Sequence, residues 1–180
     1  MTEPGQPNRF FARGGAWVMV QAVLMSLVIA LAVRFRGAWQ GVPSAVMGGA
    51  CLLAGCYFGI AGAWVLGRNL TPYPQPRAGA ALVEHGVYSL VRHPLYTSVM
   101  LMSLGWALLW QSAASLGAAL VLIPFFHTKA RREERWLRRE FPAYQAYESR
   151  VPRFIPGIRD LAAMVRRPGS RTDSKASRHP

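Results

Sequence analysis

Polar residues that could bind a charged cofactor occur in two groups along this chain. Arg92 and His93 come directly before an uncharged stretch, and Glu133 and Glu134 come directly after the next one. A guanidinium can hold a carboxylate through two hydrogen bonds, and a carboxylate can accept hydrogen bonds from an ammonium or a ribose. Nearby tyrosine and tryptophan faces can attract a cation. These residue types predict a site for a small zwitterionic ligand.

A helical hairpin is the element that would bring the two groups together. The uncharged stretch 94–127 is too short for two separate membrane spans of about twenty residues each. We therefore predict one helix that begins at Pro94, a break at Gln111 and Ser112, and a second helix that continues out of the membrane to Phe141 and Pro142. The two ends of such a hairpin lie side by side, so groups distant in sequence become neighbours.

The composition predicts an all-α integral membrane protein. Of the 180 residues, 52% are hydrophobic and 16% are charged, against about 25% charged in soluble domains. The uncharged runs 14–33 and 44–67 are long enough to cross a hydrocarbon core of about 30 Å. With the hairpin they predict about four transmembrane helices and a cytoplasmic C-terminal helical extension. Gly55 and Gly59 have GxxxG spacing, which indicates close helix packing within this chain or, alternatively, in a homodimer.

The charge distribution predicts an orientation in the membrane. The net charge is +13, and the basic residues are concentrated after Phe126. Such clusters occur in nucleic-acid-binding proteins, but here they adjoin apolar spans, which favours a cytoplasmic segment beside anionic lipid. Four spans place both termini and the ligand site in the cytoplasm, and no nucleic-acid partner is expected. Arg34 and Arg36 fall on the opposite side and are a minor exception.

A single domain is expected over residues 1–168, with the cofactor region at 84–156. Residues 169–180 are polar and basic and predict a disordered tail. Cys51 and Cys56 lie inside an apolar run without the spacing of a metal site, so no metal is expected.

Two long motifs carry a resemblance to a known family. Residues 85–96 read HGVYSLVRHPLY and match the pattern HGxYxxxRHPxY, and residues 133–156 read EERWLRREFPAYQAYESRVPRFIP and match EExxLxxxFxxYxxYxxxVPRxIP. In this order around a helical hairpin, they resemble the isoprenylcysteine carboxyl methyltransferase and phospholipid methyltransferase superfamily. Many members have glycine after the phenylalanine of the second motif, where this chain has Pro142.

The resemblance implies a membrane enzyme that transfers a methyl group from S-adenosylmethionine to a lipophilic acceptor, whose identity it leaves open. It implies catalytic roles for Arg92, His93 and Glu134, in a pocket closed by residues 144–153. The cofactor contacts that it implies are His85, Gly86, Tyr88, Arg92, His93, Tyr96, Glu134 and Tyr144.

Two other functions are compatible with parts of the pattern. Membrane sterol reductases look similar around the RHPxY stretch and use NADPH, but they are much longer and have more spans. A non-enzymatic membrane scaffold is the other alternative, although ionisable groups clustered at a membrane edge are usually functional. Taken singly, Arg92 and His93 are compatible with interfacial anchors, Glu133 and Glu134 with a solvated helix face, and Tyr144 with a packing residue.

Overall fold

The computed structural model describes residues 14–67 and 81–157, and within these ranges the chain is helical and contains no strand. The helices are α1 (Gly15–Arg34), α2 (Val42–Leu66), α3 (Pro94–Leu109), α4 (Ala113–Glu140) and α5 (Tyr144–Arg150), with a short 3-10 helix at Gly86–Ser89. The predicted all-α fold is confirmed. The predicted domain limit at residue 168 and the tail 169–180 lie outside the described residues.

Helices α1, α2 and α4 differ from α3 in length and apolarity. Helices α1, α2 and α4 are long and apolar enough to cross a membrane, whereas α3 is a shorter apolar helix. The 28 residues of α4 rise about 42 Å at 1.5 Å per residue, which exceeds a hydrocarbon core of about 30 Å. Helix α4 is therefore long enough to extend its charged C-terminal turns, which bear Glu133 and Glu134, beyond such an apolar layer.

The hairpin between α3 and α4 has the bounds expected from the sequence. Gln111 adopts a φ of +51° in the turn, and the side chain of Ser112 accepts a hydrogen bond from the amide of Ser115 at 3.3 Å. This N-cap satisfies one of the free amides that begin every helix. Helix α4 ends at Glu140 and is followed by extended backbone at Phe141, so the predicted break and the predicted end are both confirmed.

Glycines let α2 and α3 pack backbone to backbone. A Cβ atom on Gly48 would lie 2.9 Å from the carbonyl oxygen of Gly105, and one on Gly55 would lie 2.7 Å from Cγ of Met102. The hydroxyl of Ser98 donates to the carbonyl of Gly55 at 2.7 Å across the same contact. Small residues allow this close approach between membrane helices. The GxxxG face of α2 is thus covered by α3 of the same chain.

Helix α1 packs antiparallel to α4 on the other side of the hairpin. The hydroxyl of Ser115 donates to the carbonyl of Val28 at 2.8 Å, and that of Ser112 donates to the carbonyl of Leu31 at 3.2 Å. Below these bonds, Val28 packs with buried α4 side chains, including Phe126. Serine hydroxyls that bond to a neighbouring helix stabilise such contacts in apolar surroundings.

The α1–α2 and α3–α4 connections meet at one end of the bundle, and the charged residues of the two groups lie at the other end. The amide of Ala38, between α1 and α2, donates to the carbonyl of Gln111 at 2.8 Å. The opposite end holds the start of α1, the end of α2, the start of α3 and the charged turns of α4. The two groups of polar residues therefore lie at the same end as the N-terminal end of α1, while Arg34 lies at the other end.

Neighbouring glycines on α2 provide a matched test of this packing. Alanine at Gly48 is expected to lower the free energy of unfolding by about 1–3 kcal/mol, the usual cost of overpacking a close contact, because its Cβ would meet the backbone of α3. Alanine at Gly49 meets nothing within 4 Å and is expected to be neutral or slightly stabilising through helix propensity. Thermal unfolding of the two detergent-purified variants checks this, and equal melting temperatures would contradict the α2–α3 contact.

Candidate functional site

Glu134 is the centre of the polar cluster at the charged end of the bundle. Its side chain is 1% exposed, and Arg153 donates to both carboxylate oxygens, from Nε at 2.8 Å and from Nη2 at 2.6 Å. Nε2 of His93 lies 3.1 Å and Nη1 of Arg92 lies 3.4 Å from Oε1. Two guanidinium groups around one carboxylate favour its ionised form. The two sequence motifs therefore meet at Glu134.

Main-chain hydrogen bonds fasten residues 151–157 across the start of α3. The amide of Arg92 donates to the carbonyl of Pro152 at 2.9 Å, and that of His93 donates to the carbonyl of Arg153 at 3.2 Å. The hydroxyl of Thr97 donates to the carbonyl of Phe154 at 2.9 Å. These amides precede or begin the helix, where no intrahelical acceptor is available. The docking of residues 151–157 on the start of α3 places Arg153 beside Glu134.

Glu133 forms a second, adjoining group with Tyr96 and His93. The hydroxyl of Tyr96 donates to Oε2 of Glu133 at 2.7 Å, and the Tyr96 and His93 rings stack in parallel with their centroids 5.2 Å apart. Nδ1 of His93 lies 3.7 Å from the same carboxylate oxygen. His93 is thereby placed between two carboxylates. Glu133 is bound within the site and does not merely pair with arginines on the helix surface.

Arg92 and Tyr144 present buried donors that lack an acceptor in the described part of the chain. The side chain of Arg92 is 8% exposed and forms an ion pair with Glu148 at 2.9 Å through Nη1. Its Nε and the hydroxyl of Tyr144 are buried, and neither donates to an acceptor among the described residues. Burial raises the pKa of the Tyr144 phenol, so the hydroxyl stays protonated and can donate. Because buried polar atoms are nearly always satisfied, these two donors are suited to a polar atom from outside the described residues.

The remaining three predicted residues of the first motif differ in their burial. Tyr88 is buried, and its carbonyl accepts a hydrogen bond from Tyr147 at 2.6 Å. Gly86 has a φ of +63°, and a Cβ there would lie 2.8 Å from Cγ2 of Val65. His85 and Gly86 are exposed, and within the described residues no side-chain hydrogen bond joins His85 to Glu134 or Glu133. The structure brings the other predicted residues together, and all of the predicted cofactor contacts, including those of His85 and Gly86, stay predictions.

Several residues of the site were not singled out from the sequence. Arg138 donates to both carboxylate oxygens of Glu148 at 2.7 and 2.6 Å; these bonds and the charge of Arg92 lower the pKa of Glu148. The sequence shows Arg153 as the sole charged residue of 151–157, but it does not show that Arg153 pairs with Glu134. Lys129 was detectable as a lysine at the edge of an apolar stretch. Its burial depends on α1.

The comparison with protein families agrees with this arrangement. The model of the phospholipid methyltransferase family matches residues 43–144, which is more than half of the 180 residues. The chain belongs to this family. The matched range contains the Arg92, His93, Tyr96 and Glu134 positions of the site. The resemblance drawn from the two sequence motifs is therefore confirmed, and the protein is a member of a family of membrane methyltransferases.

Curated relatives of this phospholipid methyltransferase family member carry two kinds of name. A cobalt-zinc-cadmium resistance protein of Cupriavidus metallidurans is 32% identical over 148 residues, covering 81% of this chain and 64% of that protein. A nickel-cobalt-cadmium resistance protein of Alcaligenes xylosoxydans is 29% identical, covering 81% and 65%. The protein-S-isoprenylcysteine O-methyltransferase of Schizosaccharomyces pombe is 38% identical over 79 residues, covering 43% and 34%. The matches thus span less than two thirds of each relative.

The metal-resistance names do not correspond to a metal site in the described part of the molecule. Within residues 14–67 and 81–157, no group of three or more His, Cys, Asp or Glu side chains is placed to hold a metal ion. The acidic groups of the site are instead paired with arginine, histidine and tyrosine.

Proposed function

We propose that this protein is an integral membrane methyltransferase that uses S-adenosylmethionine and methylates a lipophilic acceptor. The observation that carries the proposal is a pair of buried donors, Arg92 Nε and the Tyr144 hydroxyl, which lie near the ionised Glu134 and have no acceptor among the described residues. Membership of the phospholipid methyltransferase family supports the reaction class. Relatives named as isoprenylcysteine O-methyltransferases support a lipophilic acceptor.

The residues present fit the polar groups of S-adenosylmethionine. The amino-acid carboxylate of the cofactor would accept hydrogen bonds from Arg92 and Tyr144, since a guanidinium matches a carboxylate. Oε2 of Glu133 is bound to Tyr96, which leaves Oε1 to accept from the ribose or the ammonium. Glu134 is already surrounded by protein donors. We therefore assign Glu134 the role of positioning Arg92 and His93.

Catalysis in this site would rest on positioning and on exclusion of water. When bound, the cofactor supplies an electrophilic methyl group, and the acceptor atom must lie in line with the bond that breaks. Arg92, Tyr144 and Glu133 would hold the cofactor, while the apolar bundle would orient the acceptor from the lipid side. A carboxylate acceptor needs no base. For an amine or thiol acceptor, His93 between its two carboxylates is the group placed to take a proton.

The orientation in the membrane is part of the proposal. We place the charged end of the bundle in the cytoplasm, because α4 carries exposed arginines there and positive residues favour the cytoplasmic side. Both termini then face the cytoplasm, and α3 makes the fourth, shorter crossing. Arg34 and Arg36 at the other end remain the exception to this rule.

Calorimetric titration of S-adenosylmethionine and of NADPH into the detergent-purified protein tests the proposal. Binding of S-adenosylmethionine without binding of NADPH is the expected result. Binding of NADPH alone would instead indicate a reductase. Binding of neither ligand to protein that unfolds cooperatively would contradict the assignment of a cofactor site.

Phenylalanine in place of Tyr144 separates a packing role from a ligand role. The hydroxyl donates to no acceptor among the described residues, so its removal is expected to leave the melting temperature nearly unchanged. Affinity for S-adenosylmethionine is expected to fall about tenfold, the effect of losing one hydrogen bond of about 1.4 kcal/mol. Tyr147→Phe is the matched control for stability, because its hydroxyl does bond to the carbonyl of Tyr88. Unchanged affinity in Tyr144→Phe would contradict the contact.

A further inference from the structure

Glu148 on α5 joins two arginines that come from different parts of the chain. Nε and Nη2 of Arg138, near the end of α4, donate to its two carboxylate oxygens at 2.7 and 2.6 Å. Nη1 of Arg92, just before α3, lies 2.9 Å from Oε1 of the same carboxylate. The proposed cofactor site uses Arg92 but assigns no role to Glu148 or Arg138. The bridge that these two residues form can therefore act on the cofactor through Arg92.

Glu148 is the nearer of the two carboxylates that pair with Arg92. Nη1 of Arg92 lies 2.9 Å from Glu148 and 3.4 Å from Glu134. Glu134 already accepts two hydrogen bonds from Arg153, so its charge is shared with another arginine. The side chain of Arg92 is 8% exposed, and a buried guanidinium needs a nearby counter-charge. Glu148 supplies this charge from the α5 side and holds the end of the Arg92 side chain there.

The ion pair with Glu148 leaves the hydrogen-bond donors of Arg92 available. Nε and Nη1 of Arg92 are both buried, and neither has a hydrogen-bond acceptor of suitable geometry among the described residues. Glu148 thus attracts the guanidinium by charge without using these donors. Because a guanidinium is planar and its N–H groups have fixed directions, the position of its end determines where they point. A side chain that is held in place before its ligand arrives loses less entropy on binding.

Arg138 prevents Glu148 from competing with a ligand carboxylate. An unpaired carboxylate beside Arg92 would repel a second carboxylate and would itself take the Arg92 donors. Arg138 engages both oxygens of Glu148 in the two-bond geometry that makes arginine–carboxylate pairs strong. These bonds lower the pKa of Glu148, so the carboxylate stays ionised at neutral pH. Two arginines around one glutamate leave a net positive charge, which Arg92 can present to a ligand.

Docking of α5 does not by itself account for this bridge. The hydroxyl of Tyr147 on α5 donates to a main-chain carbonyl before α3 at 2.6 Å. Arg150, also on α5, donates to Glu84 at 3.2 Å. Both contacts hold α5 against the segment that precedes α3 without involving Arg92. Glu148 is the charged residue of α5 that reaches the Arg92 guanidinium.

We propose that Glu148 and Arg138 form a brace that orients Arg92 toward the amino-acid carboxylate of the cofactor. This inference rests on the proposed methyltransferase function. Glu148 and Arg138 are positioning residues, since they act through Arg92 and do not contact the cofactor themselves. The brace sets how strongly the site prefers a cofactor that has this carboxylate over one that lacks it.

Calorimetric titration of S-adenosylmethionine and of decarboxylated S-adenosylmethionine into the full-length protein in detergent tests the brace. The two ligands differ only in the carboxylate that Arg92 would bind. In Glu148→Gln we expect the affinity for S-adenosylmethionine to fall about tenfold, while the affinity for the decarboxylated ligand stays within about twofold of the wild type. A wild-type affinity for S-adenosylmethionine, or an equal loss for both ligands, would overturn the proposal.

Arg138→Met tests the brace with the opposite change of charge. It frees Glu148 to compete with the ligand carboxylate, so we expect a similar fall in affinity for S-adenosylmethionine. A general electrostatic effect would instead shift the affinities of Glu148→Gln and Arg138→Met in opposite directions, and that result would refute the brace. The double variant is expected to bind no more weakly than Glu148→Gln, because both changes act through one contact. If Glu148→Gln fails to fold, Arg138→Met decides the question, since 43% of the Arg138 side chain is exposed.

Arg150→Met is the matched control, because it removes the other ion pair of α5 and its side chain is 67% exposed. We expect this variant to keep the wild-type affinity for both ligands. A tenfold loss here would show that docking of α5 sets the affinity and would reject the brace. If the wild type binds S-adenosylmethionine and the brace variants bind it equally well, the methyltransferase proposal is retained and the brace is rejected. A wild type that binds neither ligand rejects the proposed function and the brace together.

Discussion

Glutamine in place of Glu134 is expected to abolish detectable binding of S-adenosylmethionine and to lower the free energy of unfolding by about 3 kcal/mol. The carboxylate is fully buried and is bound by Arg153 through two hydrogen bonds of 2.8 and 2.6 Å. Removal of one partner of a buried ion pair leaves the other charge uncompensated, which costs about 3–5 kcal/mol. Arg92 and Arg153 would both lose their shared counter-charge, so residues 151–157 would also dock less firmly.

Thermal unfolding and calorimetric titration of the purified variant measure the two effects of this change. For a chain of this size, about 3 kcal/mol corresponds to a fall in melting temperature of roughly 6–12 °C. Glu140→Gln is the matched control, because Glu140 lies on the same helix and is exposed; its effect is expected to stay within about 0.5 kcal/mol. Wild-type affinity in Glu134→Gln would show that Glu134 does not organise a cofactor site.

Methionine in place of Arg92 is expected to weaken binding of S-adenosylmethionine at least about 100-fold. Arg92 carries a buried Nε without an acceptor in the described part of the chain, and the loss of a charged hydrogen bond to a ligand carboxylate costs about 2–5 kcal/mol. The stability effect is expected to be smaller than that of Glu134→Gln, because Glu134 keeps its two hydrogen bonds from Arg153. In this variant the affinity for S-adenosylmethionine is expected to fall more than the free energy of unfolding, as is typical of a residue that binds a ligand.

Arg139→Met is the control for Arg92→Met. Arg139 is exposed near the end of α4, so its replacement removes the same charge at the same end of the bundle without touching the buried cluster. We expect unchanged affinity in this control, measured in the same calorimetric titration. If the two variants lost affinity equally, the effect would reflect the overall positive field of the charged end, and Arg92 would have no specific contact.

The positions of the helices were largely predictable from the sequence. The uncharged runs 14–33 and 44–67 correspond to α1 and α2 within a few residues, because only apolar side chains tolerate hydrocarbon. The hairpin break at Gln111 and Ser112 was predictable from local chemistry, since Ser112 caps α4. The number of helices long enough to cross the membrane was less predictable. The structure has three long apolar helices and the shorter α3, and α3 relies on close contact with α2.

The proximity of the two motifs was also predictable, but the role of each acidic residue was not. A hairpin between Arg92 and Glu134 brings them to one end whatever the side-chain packing. Adjacent residues on a helix point in directions about 100° apart, so Glu133 and Glu134 face different surroundings. The family resemblance singled out Glu134, but it did not show that protein side chains would surround its carboxylate. In the structure Glu134 is 0% exposed and Glu133 keeps 23% of its side chain exposed. Packing against residues 151–157 decides between them.

The sequence by itself determined the class of this protein, the bounds of its helices and the end of the bundle where its polar residues gather. These properties follow from hydrophobic run lengths, helix caps and chain connectivity, which are local. Only the tertiary structure decided that Arg153 binds Glu134, that Arg92 and Tyr144 retain free donors, and that Lys129 is buried against Gln21. Each of these depends on how a helix or segment is rotated against a distant neighbour, and rotation is set by packing that no single stretch of sequence contains.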